Sequence, residues 1–218
     1  MNRFDAVLFD LDGTLLFTLP DMRLALNRAL EQSGHPPRTL EEIRSFVGNG
    51  VRKLVERALP PGAEADADRV YRCYSDWYSL HGQEHVEYYP GIRETVAALR
   101  ERGIRTGVVT NKNHADAVAM MERFFGGLIE VTEGKRDGRP TKPSPEAALD
   151  AAKLLGVSPA RTLYVGDSGV DAETAKNAGM ACALASWGYR DRPELERMEA
   201  LGVIDRAEEL LDYVKVEE

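Results

Sequence analysis

The chain has little cysteine, no excess of positive charge and no long apolar run. Cys73 and Cys182 are its only cysteines, too few to frame a disulfide scaffold, so two free thiols are expected. The formal net charge is -8, whereas surfaces that track nucleic acid or anionic membrane need a basic excess. Neither is therefore expected as a partner. A small anion is not excluded, because a few local cations and a metal can override the global field. No stretch approaches the length needed to cross a bilayer. The start, MNRFDAVLFDLDG, has early charges and an apolar run broken by Asp10, which is not the pattern of a secretory signal. A soluble, cytoplasmic protein is expected. Internal repeats and low-complexity tracts are also missing.

What is present is an ordinary globular balance, 43% hydrophobic and 29% charged over 218 residues. That length suits one large domain, or a domain with a smaller insertion. Short β-rich runs occur at Ala6–Phe9, Ile104–Val109, Arg161–Val165 and Met180–Leu184, with a weaker fifth at Leu128–Val131. Near-continuous apolar runs suit strands buried on both faces of a parallel sheet. Between them, Ile92, Val96 and Leu99 repeat at helical spacing before Gly103, as do Ala148, Ala151 and Leu155 before Gly156. A third helix after Asp171 ends at Gly179. Ser144-Pro145-Glu146 and Ser158-Pro159 read as helix starts. Alternating strands and helices predict a doubly wound, Rossmann-like α/β core with a parallel sheet.

Residues 15–88 break this rhythm. Met22, Leu26 and Leu30 form one apolar helical face, and Val51, Leu54, Val55, Ala58 and Leu59 another. A third comprises Val70, Tyr74, Trp77 and Tyr78, and Thr39-Leu40-Glu41-Glu42 reads as a capping box. No convincing strand is legible there, and Pro60–Asp68 reads as a loop. The expected organisation is a catalytic core of residues 1–14 and 89–218 with an inserted all-helical cap of residues 15–88. The aromatic residues Tyr71, Tyr74, Trp77 and Tyr78 suit the interior of a helix bundle better than a dimer surface. Either a monomer or a homodimer fits.

Four groups of polar residues end the expected strands. Asp10-Leu-Asp12-Gly13-Thr14 follows the first, where open α/β sheets bind ligands. Two carboxylates two residues apart on extended chain project to opposite faces, so a turn must begin there, and Gly13 permits it. An Asp-Gly turn or a helix cap is the plainer reading. Thr110-Asn111-Lys112 ends the second strand with a hydroxyl, an amide and an amine that can hold phosphate oxygens, or simply forms a capped loop. Lys142 precedes Pro143-Ser144-Pro145, which stiffens its backbone. In Gly166-Asp167-Ser168-Gly169-Val170-Asp171, Asp167 can reach the same crevice as Asp10 and build an oxygen-rich site suited to magnesium. Asp171 suits a helix cap or a position behind the metal ligands, and could also be a ligand itself. His35, His81, His85 and His114 have no spacing typical of a metal or triad site, and each reads as a surface residue.

Together the motifs DLDGT, TN, K-P-x-P and GD-x-x-x-D appear in the order found in the haloacid dehalogenase-like hydrolase superfamily, which the chain resembles over essentially its whole length. The helical insertion and the segment VGNGVRKLVERAL at Val47–Leu59 look like phosphoglycolate phosphatases and near relatives. The resemblance implies Asp10 as nucleophile and magnesium ligand, and Asp12 as general acid and base that also lends its backbone carbonyl to the metal. It implies Thr110, Asn111 and Lys142 at the phosphoryl group, Asp167 on Mg2+, and Ser168 and Asp171 behind the metal or on it. Gly48, Asn49 and Gly50 with Arg52 and Lys53 have two readings, a substrate-recognising loop on the cap or the ordinary solvated face of a helix. The expected substrate is a small phosphorylated metabolite, 2-phosphoglycolate being the named candidate. Pyrophosphate hydrolysis, a sugar phosphomutase and a non-catalytic phosphate-binding regulator are the alternatives. The chain departs from the family pattern at Phe17-Thr18, where Asp-Ser is common, and at Asn113, where proline is common.

Overall fold

The structure, a computed structural model, describes residues 3–214. In chain order its strands are β1 (Ala6–Phe9), β2 (Leu16–Phe17), β3 (Glu87–Tyr88), β4 (Arg105–Asn113), β5 (Val131–Lys135), β6 (Thr162–Gly166), β7 (Ala181–Ala185) and β8 (Gly202–Ile204). The helices are α1 (Leu19–Gln32), α2 (Leu40–Phe46), α3 (Val51–Ala58), α4 (Ala67–His81), α5 (Ile92–Glu101), α6 (His114–Phe125), α7 (Glu146–Leu155), α8 (Gly169–Ala178), α9 (Arg192–Leu195) and α10 (Leu210–Tyr213). Two compact units result. One is the chain up to Leu16 and from Tyr88 onward, and the other is Phe17–Glu87.

The first unit holds a six-stranded sheet in the order β5-β4-β1-β6-β7-β8. Every pairing in it is parallel. From β1 the chain winds outward through β4 and β5, then returns to the other side of β1 for β6, β7 and β8. The order therefore reverses between β1 and β6, and a crevice opens at the carboxyl ends of strands around such a switch point. The strands are apolar because the sheet is covered: β1 and β6 are buried throughout. Small residues let the helices approach closely. Ala148, Ala151 and Ala152 of α7 and Ala172 and Ala175 of α8 share one cluster with Ala6, Leu8, Tyr164 and Leu184.

Several boundaries differ from the sequence reading. The fifth strand runs from Val131 to Lys135 rather than from Leu128. Its Glu133 is buried, with Arg136 and Arg139 reaching back to its carboxylate, so charge neutralisation lets a polar stretch pair as strand. Ser158-Pro159 opens only a 3-10 turn, Pro159–Arg161, which delivers the chain straight into β6. Two two-residue strands, β2 and β3, lie at the ends of the segment expected to lack strands, and they pair with each other. The expected loop at Pro60–Asp68 contains a 3-10 turn at Glu64–Asp66 and the start of α4.

In the second unit α1 packs on α4 and α2, and α3 packs on α2 and α4. Tyr74 and Tyr78 are buried and stack with ring centroids 5.3 Å apart, so these two aromatics build the interior. The capping box of α2 is formed: the Thr39 hydroxyl accepts from the Glu42 N–H, and Glu42 accepts from the Thr39 N–H. Thr39→Ala should therefore lower stability by about 1 kcal/mol, read as a shift in the denaturant midpoint with unchanged slope. Asp21, wholly buried in the first turn of α1, accepts from both the main-chain N–H and ring Nδ1 of His85. That pair joins the two ends of the segment. No helix among the described residues is long and apolar enough to cross a membrane.

Candidate active site

The carboxyl ends of β1, β4 and β6 are adjacent in the sheet, so the polar residues in and just beyond those ends converge; Thr110, Asn111 and Lys112 belong to β4 itself, which runs past the expected end at Val109. Asp10 continues β1, its N–H donating to the Val165 carbonyl at 2.8 Å. The chain then folds back tightly: the N–H groups of Leu15 and Leu16 donate to the Leu11 carbonyl, and that of Gly13 to Leu16. Gly13 has φ +86°, a left-handed backbone that side chains disfavour. This turn brings Asp12 to the same crevice as Asp10.

Each of these two acids meets its own lysine. Lys142 Nζ lies 2.9 Å from Asp10 Oδ1 and 2.7 Å from Asp171 Oδ1. Lys112 Nζ lies 2.9 Å from Asp12 Oδ1 and 3.2 Å from Oδ2. Both lysines are buried. Asn111 uses its side-chain amide on the Lys142 main chain, donating from Nδ2 to the carbonyl at 3.1 Å and accepting at Oδ1 from the N–H at 2.8 Å. It thereby clamps the segment that carries Lys142. Thr110 Oγ1 accepts from the Lys112 N–H at 3.2 Å. Asn113 caps α6 by accepting from the Ala115 N–H.

Asp167 follows β6 and is held in a slot. Its Oδ2 accepts from the Tyr189 N–H at 2.6 Å. A Cβ added at Gly13 would stand 2.3 Å from that Oδ2, and one at Gly188 would stand 2.3 Å from the Asp167 Cβ. Asp171, in the first turn of α8, is not its cap; Ser168 occupies that position. Asp171 instead accepts from Ser168 Oγ at 2.6 Å as well as from Lys142. Asp10, Asp167 and Asp171 each offer a carboxylate oxygen within 4.8 Å of the others.

Burial pushes the Asp10 carboxyl up to about 7; Lys142 opposes the rise, while Asp171 and Asp12 add to it. Burial likewise raises Asp167 well above the usual carboxylate range, reinforced by Asp171 and Asp10 against the Tyr189 N–H. Burial disfavours the Lys142 ammonium, but Asp10 and Asp171 outweigh it and hold Lys142 protonated. Asp10, Asp12, Asp167 and Asp171 carry four carboxylates against the two ammoniums of Lys112 and Lys142. The acids outnumber the lysines paired with them, an excess of negative charge that a bound cation would offset. The donors are all oxygens, which suits a hard cation such as magnesium.

Of the other candidates, Gly48, Asn49, Gly50, Arg52 and Lys53 lie in the helical unit, at the turn into α3 and in its first residues. Arg52 pairs with Glu56 and Asp68, Lys53 with Glu56, and Asn49 accepts from Arg57. The histidines all have partners: His35 with Asp66, His81 with Glu84, His85 with Asp21, and His114 with Gly134 and Arg136. The sequence reading did not anticipate the loop after β7, in which Gly188 and Tyr189 shape the Asp167 slot and Trp187 donates to the Thr14 carbonyl. Its signal was a glycine just past a strand end, the same signal read at Gly13.

A profile of haloacid dehalogenase-like hydrolases matches residues 4–179. The chain belongs to the haloacid dehalogenase-like hydrolase family. Within that family, it is 37% identical over 218 residues to a phosphoglycolate phosphatase of Cereibacter sphaeroides, covering 96% of this chain and 97% of that one. A phosphoglycolate phosphatase of Pseudomonas putida is 36% identical over 220 residues, 94% of this chain and 78% of its own length. Among solved structures, a candidate phosphoglycolate phosphatase from Lactobacillus delbrueckii subsp. bulgaricus superposes with a TM-score of 0.91 at 31% identity, covering 98% of this chain and 99% of that one. CbbY from Rhodobacter sphaeroides, solved in complex with phosphate, gives 0.77 at 28% identity, covering 95% and 96% of the two chains. The resemblance read from DLDGT, TN, K-P-x-P and GD-x-x-x-D thus holds over most of the chain.

Proposed function

We propose that this haloacid dehalogenase-like hydrolase is a magnesium-dependent phosphomonoesterase that works through a phosphoryl group carried on Asp10. The observation that carries the proposal is the convergence of Asp10 with Lys142, Asp167 and Asp171 at the sheet's switch point. Asp10 attacks phosphorus while the bond to the ester oxygen breaks, and Asp12 gives its proton to that departing oxygen. A water then attacks the phosphoryl group and passes a proton to Asp12. The bond from phosphorus to Asp10 breaks, releasing inorganic phosphate and restoring the carboxylate. Lys142 stays protonated throughout and lowers the repulsion between Asp10 and an anionic phosphate. Thr110 would hold a phosphoryl oxygen through its hydroxyl, and Asn111 would serve by fixing the Lys142 main chain. Asp10, Asp167 and the Asp12 carbonyl would hold magnesium, with Asp171 beside them. The bound ion would offset charge on the transferring phosphoryl oxygens.

For substrate we propose 2-phosphoglycolate or another small phosphorylated metabolite, supported by the names of the relatives. We place the enzyme in the cytoplasm, in keeping with two unpaired cysteines, one of them buried. The test is magnesium-dependent phosphate release from a panel of 2-phosphoglycolate, phosphosugars, nucleotides and pyrophosphate. Preferential turnover of 2-phosphoglycolate is the expected result. Broad turnover would keep the chemistry and remove the substrate, and release from pyrophosphate alone would replace it. Failure of folded, magnesium-loaded protein to release phosphate from any of them would overturn the hydrolase mechanism.

A further inference from the structure

Lys112 poses a problem that the mechanism above does not solve. Its side chain is only 3% exposed, yet the phosphate-neutralising task beside Asp10 already belongs to Lys142. Burying a lysine freezes a long side chain and strips its ammonium of water, so its partner must matter. It pairs with Asp12, both of whose oxygens it contacts. Lys112 reaches it from the end of β4, where its main-chain N–H is fixed on Thr110 Oγ1, while Asp12 stands on the tight turn closed by Gly13. Both ends of the pair are therefore anchored to rigid backbone. A third acid, Asp116 of α6, feels both members: its carboxyl is raised first by burial, with Lys112 opposing and Asp12 adding.

We propose that Lys112 is the positioning residue for Asp12, fixing the direction of its side chain so that the carboxyl, when it carries the proton, faces the departing ester oxygen. The inference rests on the acid role given to Asp12 above and extends it. An aspartate side chain turns about two torsions, and a proton donor must lie within hydrogen-bond reach of the oxygen it serves. Lys112 forms and breaks no bond in the reaction.

The consequence is selective by leaving group. An alkyl ester needs its oxygen protonated as the bond to phosphorus breaks, whereas p-nitrophenyl phosphate expels a stable phenolate without help. The constant kcat/KM covers only the steps through transfer to Asp10, so the later attack of water does not blur the comparison. For Lys112→Met, kcat/KM on an alkyl phosphate should fall roughly 10- to 100-fold. On p-nitrophenyl phosphate it should fall less than about 3-fold. Lys112→Arg, which keeps the charge, should recover part of the alkyl-ester loss, and it supplies the reading if Lys112→Met fails to fold. Equal losses on the two esters would overturn the inference in favour of phosphate binding or packing, and no loss on either would show the pair to be idle. Asp12→Asn, run in parallel, separates the layers. If it shows the leaving-group pattern and the Lys112 variants do not, only the role of Lys112 is wrong. If Asp12→Asn lacks the pattern, the acid assignment falls and the inference with it.

Discussion

Asp10→Asn should reduce phosphate release by roughly 10⁴-fold or more, the scale on which loss of a nucleophile is felt, while leaving the protein folded. The two halves of this result have separate causes. The amide is nearly the shape of the carboxylate but cannot attack phosphorus, so no phosphoryl group is ever carried on the chain. Wild-type protein quenched during turnover should hold a phosphoryl adduct that hydroxylamine removes, as an acyl phosphate requires, and the variant should hold none. Folding should survive because the replaced carboxyl is one that burial already pushes up to about 7; its charge is a cost to the metal-free fold. Lys142 keeps Asp171 as partner at 2.7 Å. In chelator, the thermal midpoint should shift by no more than about 4 °C, the effect of roughly 1 kcal/mol. Near-full activity in the variant would remove Asp10 from the mechanism, whatever the fate of the fold.

The residues that were legible in the sequence are those whose neighbours are local. The apolar run Ala6–Phe9 is a strand over the residues expected, because a strand buried on both faces needs apolar residues at every position. Helices α5, α7 and α8 end ahead of Gly103, Gly156 and Gly179, all of which have positive φ, so a single residue type marked each stop. Strand β8 escaped notice because three residues carry no periodicity, and the fifth strand was placed too early, at Leu128–Val131, because Glu133 reads as loop until its arginines are seen. In the site, acids at strand ends could be found one by one, since each follows its own apolar run. Pairing could not. Nothing in the spacing of 100 residues between Asp12 and Lys112 says that they touch. Nor does the TN motif say that the Asn111 amide grips the Lys142 main chain. Those facts follow from β4 lying beside β1 and from the segment between β5 and α7 passing back by the end of β4, which is topology rather than pattern.

Gly188 is the sharpest case of a residue visible only in three dimensions, and Gly188→Ala should cut activity by roughly 100-fold. The added Cβ would stand 2.3 Å from the Asp167 Cβ, 2.4 Å from its Oδ2 and 2.5 Å from the Gly13 carbonyl oxygen. None of these can swing aside cheaply: one is main chain, and the Asp167 carboxylate is tied to the Tyr189 N–H. Restoring van der Waals distance needs a displacement of about 1 Å at Asp167 or in the Gly13 turn, and misplacement on that scale costs catalytic sites about 100-fold. The accompanying loss of stability should be about 1–3 kcal/mol, typical of overpacking. Gly103→Ala is the contrasting variant. Gly103 has φ +77°, and nothing lies within 4 Å of its Cβ position, so alanine there strains backbone far from the strand ends that carry the site. It should lower stability by about 1 kcal/mol and leave kcat/KM within about 2-fold of wild type, a change of under roughly 0.5 kcal/mol in transition-state binding. Measured side by side, the two variants separate a glycine kept for its backbone from one kept for the space it leaves to Asp167. Equal loss of activity in both would mean that general destabilisation, and not the position of that carboxylate, governs turnover.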